Sequence, residues 1–260
     1  MSYKDYRYQD YQAITQGNAV IAAGATQYDT ERVLSFPLPN VTSMCLDVAY
    51  TTWVESQHFL RDENVLEFPK PQMPEKTIRL TEDYIFFDLL QKRMIAIVFA
   101  YTALESFANE SIPDHFVFRR KSDHKKFTEE YTKEQAELLS LDIKLHEVLP
   151  TIFNLRSPKG GTIWHRYLFL KILRDKVIHM KSKDRRSAII GEENIWKELL
   201  DKSYPNVAIE AKAIIGYYLN SLDEKGRVGS GRPLWGSPVT RPQNRACGLS
   251  PHTARPLRAS

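Results

Sequence analysis

The sequence predicts an all-α fold, an up-and-down bundle of about five to seven helices, and three observations predict it. The stretch from Ile78 to Ser111 is apolar almost all round a helical wheel, as a helix in the middle of a bundle must be. Further segments of helical period are separated by breaks rich in proline and glycine. No alternating strand pattern of comparable strength occurs.

Residues 1–40 mix tyrosines ("YKDYRYQDY"), glycines and a "FPLP" break without a sustained period, and read as an irregular arm. From Val41 to Glu63 a first helix places Met44, Val48, Thr51, Thr52, Glu55 and Phe59 on successive turns, and "FPKPQMP" stops it. The long helix from Ile78 to Ser111 comes next, with Pro113 just beyond its end. "RRKSDHKK" (Arg119 to Lys126) reads as a basic connector, Thr128 opens the next short helices, and "SPKGG" breaks the chain again. Thr162 to Met180 gives another helix and Glu193 to Leu200 a short one. Pro205 to Leu222 is the last, with its proline near the first turn. The bundle therefore spans residues 41–222. Residues 223–260 are dominated by Gly, Pro, Arg and Ser, cannot bury enough apolar area to offset their ordering entropy, and are expected to be disordered. Their basic charge either assists RNA or partner binding or has no selected role.

An apolar content of 42% is enough to bury a core in a chain of this length. Cys45 and Cys247 lie far apart, so neither a disulfide framework nor a zinc site is indicated, and a reducing cytoplasm fits best. The N-terminus lacks an apolar leader, and "MIAIVFAYTAL" (Met94 to Leu104) is too short to span a bilayer, so no membrane partner is expected. The net charge of +4 conceals a division: residues 225–260 hold seven of the 36 basic side chains and no acidic one, which leaves 29 basic against 32 acidic in the rest. Nucleic-acid affinity must then come from local patches rather than from the global field.

One stretch carries chemistry. In "LRDKVIHMKSK", Arg174 precedes His179 by five positions with Asp175 beside the arginine, at the polar end of an apolar run. Five positions on a regular helix separate the two by about 140°, so they converge only where the helix ends or bends. The charged run "KSKDRRS" beyond it puts His179 in the last turn, where the helix dipole favours an imidazolium suited to acid–base work. On the long helix, "AYTALESFANE" carries Glu105 and Asn109 on one face of an apolar segment, so both are expected to be partly buried. A buried carboxylate needs a partner, and Arg174 is the expected one for Glu105. The same ion pair would serve a purely structural role equally well.

"AYTALESFANE" followed by "LRDKVIH" resembles the HEPN domains (higher eukaryotes and prokaryotes nucleotide-binding), α-helical bundles with a motif of Arg, a polar residue, three more, then His. Many act as metal-independent ribonucleases in toxin–antitoxin, phage-defence and RNA-processing systems. The resemblance implies that Arg174 and His179 are the catalytic pair and that Asp175 is the polar residue of the motif. It also implies that two protomers bring their motifs together in a homodimer, with an antitoxin or inhibitor protein as a further partner. Lys181 stands where toxins modified by a partner nucleotidyltransferase carry a tyrosine, so regulation by that route is not implied.

The residue types suit the reaction. Cleaving RNA requires a deprotonated 2′-OH, a protonated leaving oxygen and a compensated phosphorane. A histidine can move the proton and an arginine fork can hold the phosphate, with no cofactor or metal. Lys171, Lys176, Lys181, Lys183, Arg185 and Arg186 surround the motif as candidates for RNA binding, and "RRKSDHKK" is a second basic cluster. The other histidines show no ligand spacing such as HExxH, and "SPKGG" lacks the lysine-serine end of a phosphate-binding loop. The rival reading is a non-catalytic helical interaction module that keeps the motif as a structural bridge.

Overall fold

The computed structural model describes residues 10–12, 19–21, 23–61, 66–67, 79–80, 83–121, 128–185 and 194–224. Of the segment 223–260 expected to be disordered, Asp223 and Glu224 instead belong to the last helix, and residues 225–260 lie outside the described residues. The described chain is mostly helical, with short antiparallel ladders at the edges of the bundle.

The segment expected to be irregular contains strands β1 (Asp10–Gln12) and β2 (Ala19–Ile21), which pair with each other, and the hairpin β3 (Ala23–Gln27) to β4 (Val33–Pro37). The hairpin has a local cause. Asp29 Oδ1 accepts from the backbone N–H of Glu31 at 3.0 Å and of Arg32 at 2.8 Å, which folds the chain back on itself.

Helix α1 (Val41–Arg61) begins after Asn40, whose Oδ1 accepts from Ser43 N at 2.9 Å. Its buried stripe is Thr42, Cys45, Ala49, Trp53 and Ser56, not the expected line through Met44 and Glu55, both of which are exposed. Trp53 is the largest apolar side chain of the helix and draws its own face inward.

Strands β5 (Leu66–Glu67) and β6 (Arg79–Leu80) form a two-rung ladder, so helix α2 starts at Asp83 rather than near Ile78 and runs to Glu110. Alanines at 96, 100, 103 and 108 are fully or almost fully buried and let α1 and the later helices approach α2 closely, which makes α2 the central helix of the bundle.

The basic connector is in part a strand. β7 (Phe118–Lys121) pairs with β8 (Thr128–Tyr131), setting Arg119 opposite Glu130 and Arg120 opposite Glu129. The helix expected from Thr128 therefore begins later, at α3 (Lys133–Glu137), where Thr132 and Gln135 form a capping box.

Helices α4 (Leu141–Ile143) and α5 (Leu149–Phe153) are joined by a π-helical turn over Lys144–Val148. Pro150 has no N–H and crowds the carbonyl four residues back, which a wider turn relieves. Helix α6 (Thr162–Ile178) comes after the glycine break. Beyond it lie a 3₁₀ turn (Ser182–Arg185), α7 (Ile195–Leu200) and α8 (Val207–Glu224).

The core lies where α2, α5, α6 and α8 meet. Phe107, Phe153 and Tyr218 form a ring triangle with centroids 5.7 to 6.3 Å apart. The buried Tyr218 hydroxyl donates to the carbonyl of Leu145 in the π turn. Among the described residues, no helix is long and apolar enough to cross a membrane.

Candidate functional site

Helix α6 carries the motif. Tyr167, Leu170, Leu173 and Val177 face the core, and the adjoining line Trp164, Tyr167, Lys171 and Arg174 results from the 3.6-residue period. Along this line the polar groups meet α2 and α4. The Arg174 guanidinium sits 5.0 Å from the centroid of the Tyr101 ring, and its Nη1 donates to Asp175 Oδ1 at 3.0 Å. The arginine is thus held by a ring of the central helix and by its own neighbour in sequence, with its side chain 31% exposed.

Beneath it the Tyr101 and Tyr167 rings stack at 6.4 Å. Burial pushes both hydroxyls above the usual tyrosine range. The Tyr167 hydroxyl is buried without a well-formed hydrogen bond, with the Tyr101 hydroxyl and Asp142 as polar neighbours.

The helix ends at Ile178, and His179 leaves it with φ −112° and ψ 53°, its N–H still bonded to the Asp175 carbonyl at 2.9 Å. The imidazole is exposed and makes no hydrogen bond or ion pair among the described residues. Arg174 and His179 are therefore both accessible, but among the described residues no hydrogen bond or ion pair joins their side chains.

Asp184 fixes the turn beyond the histidine. This buried carboxylate accepts from Lys181 N at 3.1 Å and Ile195 N at 3.2 Å, while its own carbonyl accepts from Trp196 Nε1 at 2.8 Å. One residue thereby ties the end of α6 to the start of α7. Sequence reasoning passed over it because Asp184 lies inside a charged run that reads as solvated surface.

The expected partner of Glu105 is a correction. Among the described residues no ion pair joins Glu105 to Arg174; Glu105 is half-buried, and its charge acts on Lys144 and Tyr101 instead. Lys144 is 5% exposed, and its Nζ donates to Asn109 Oδ1 at 2.6 Å and to the Glu137 carbonyl. Burial lowers its pKa, with Glu105 and Glu137 opposing the shift. So Asn109 and Glu105 support the π turn. A helical wheel gives the face on which Glu105 lies but not the residue that meets it, and the π turn brings a lysine into reach that an unbroken 3.6-residue period does not place there.

The basic residues divide. Lys171 pairs with Asp142 Oδ2, which raises its pKa, and Lys176 pairs with Glu198 Oε1. Lys181 is exposed. The side chains of Lys183 and Arg185, and Arg186 altogether, lie outside the described residues, as do residues 122–127 of the basic connector. Its first two arginines are paired, Arg119 with Glu130 at 2.7 Å and Arg120 with Glu147 at 2.9 Å.

No family model, no curated protein and no solved structure matches the chain.

Proposed function

We propose that the chain is a HEPN-type endoribonuclease that cleaves RNA through the 2′-OH without a metal, Arg174 holding the phosphate and His179 transferring the proton. The observation that carries this reading is the end of α6 at the histidine. His179 sits at the C-cap with a solvent-exposed ring, one turn beyond an arginine oriented by Tyr101 and Asp175. A guanidinium fixed on one edge keeps other N–H groups for a phosphate, and an exposed imidazole at a helix C-terminus is placed for acid–base transfer.

Among the described residues no hydrogen bond or ion pair joins the two side chains, and the reading includes a homodimer in which two motifs complete a composite site. It also includes action in the cytoplasm as a toxin or phage-defence effector restrained by an inhibitor protein.

The test is cleavage of single-stranded RNA by purified protein in EDTA. The expected products end in 2′,3′-cyclic phosphate, a 2′-deoxy substitution at the cleaved position blocks the reaction, and His179→Ala loses it. Activity that persists in His179→Ala, or that EDTA abolishes in the unsubstituted protein, overturns the mechanism.

A second reading, a helical interaction module with the motif as a bridge, is favoured by the neutralised lysines: Lys171 and Lys176 are both engaged by carboxylates of the same chain. It predicts no cleavage and a loss of partner binding or self-association in Arg174→Ala.

A further inference from the structure

A cleft of about 600 Å³ opens between β7 and the α5 segment, and neither Arg174 nor His179 lines it. Its walls carry Arg119, Arg120, His146 and Glu147. On a strand, consecutive side chains leave from opposite faces, so Arg120 turns toward the π turn while Arg119 reaches the rim. Both guanidiniums are steered through Nε alone: Arg119 donates from Nε to Glu130 Oε1 at 2.7 Å and Arg120 from Nε to Glu147 Oε2 at 2.9 Å. Among the described residues, their terminal Nη groups make no hydrogen bond.

Glu147 also neighbours His146, whose Nε2 lies 2.8 Å from its Oε1, a contact that is an ion pair only when the imidazole is protonated. The other ring nitrogen of His146 donates to the Asp142 carbonyl, and the ring edge packs on Trp164 at 5.5 Å. The π turn carries His146 and Glu147 together into this wall. A single carboxylate that positions an arginine beside a histidine leaves an outward fork of N–H groups in a concavity far larger than one ion requires.

We propose that this cleft binds a phosphate group, held by the terminal nitrogens of Arg120 with Arg119 at the rim. The phosphate belongs either to a small free phosphate compound or to a strand of RNA running past the motif. The strand source rests on the ribonuclease reading; the small-ligand source does not. Asp142 links the two regions, since its carbonyl holds His146 and its carboxylate holds Lys171, one helical turn from Arg174.

The experiment titrates inorganic pyrophosphate by calorimetry into the full chain, and a fluorescent oligoribonucleotide by anisotropy into His179→Ala, which leaves the strand intact. Each is repeated in Arg119→Gln/Arg120→Gln and in Arg120→Lys. The expected result is binding that weakens tenfold or more in the double variant and several-fold in Arg120→Lys, which keeps the charge and loses the fork. Pyrophosphate binding with this pattern assigns a small ligand; oligoribonucleotide binding alone with this pattern assigns the strand. Absence of binding by either probe, or binding unchanged by the substitutions, overturns the proposal. Should the double variant fail to fold, Arg119→Gln, whose side chain is 71% exposed, carries the comparison, with the His146 ring shift on adding pyrophosphate to the unsubstituted protein as a second readout. Failure of RNA cleavage alongside intact pyrophosphate binding removes only the ribonuclease reading.

Discussion

The guanidinium of Arg174 lies 5.0 Å from the centre of the Tyr101 ring, so the central helix, rather than the carboxylate of Glu105, orients the arginine of the motif. A ring face leaves the edges of the guanidinium open, whereas a bidentate carboxylate would occupy one of them.

Arg174→Lys keeps the charge but loses both the planar stack and the fork, and RNA cleavage is expected to fall about 10²-fold or more. His179→Ala should cost roughly 10²- to 10⁴-fold, the range for a lost general acid or base. Both side chains are accessible, so melting temperatures should shift by only a few degrees. Cleavage assays beside thermal melts of the same preparations check both halves of the expectation.

Lys144→Ala should be among the most destabilising single substitutions. It removes a buried side chain and leaves Asn109 Oδ1 and the Glu137 carbonyl without their donor, a loss of roughly 2–4 kcal/mol in urea unfolding. Glu105→Gln should cost far less, since no hydrogen bond or ion pair of Glu105 is broken among the described residues. Equal losses from the two substitutions would show that Glu105 holds more than the π turn.

Asp184→Ala removes the acceptor shared by Lys181 N and Ile195 N, and each orphaned N–H costs about 1 kcal/mol or more. The substitution should loosen the turn after His179. Amide exchange at Lys181 and Ile195 is expected to quicken, and RNA cleavage to decline through lost positioning. Unchanged exchange at both amides would refute the tie between α6 and α7.

Glu110 gives stability a pH dependence. The residue is exposed overall, but its Oε2 reaches the buried Thr42 hydroxyl at 3.3 Å, and burial of the carboxyl pushes its pKa from 4.5 to about 7. The folded chain therefore binds this proton more tightly than the unfolded chain does. Its contribution to stability is fully present below pH 4.5 and is lost as pH rises toward 7. Denaturation midpoints measured across that interval should show this slope in the unsubstituted protein and not in Glu110→Gln.

The helices were legible in the sequence because apolar period and breakers act locally: α1, α6 and α8 start within two residues of their expected first residues. The hairpins were not, for a physical reason. "FRRK" and "TEEY" match charge for charge only when laid side by side across a loop, and each alone reads as a polar segment without period. The motif was visible as spacing, and so was its place at a helix end. The surroundings of Arg174 were not, since Tyr101 and Glu105 are one turn apart on α2 and the wheel cannot decide between them.

The bond from Tyr218 to the Leu145 carbonyl crosses 73 positions of the chain, with a consequence for synthesis. While the ribosome is still making α6, the π turn has been made but the hydroxyl that closes it has not. Until Tyr218 appears, the carbonyl must be left to water, and the aromatic triangle stands open on one side. The nascent bundle thus cannot complete the wall that carries His146 and Glu147 before its last helix arrives.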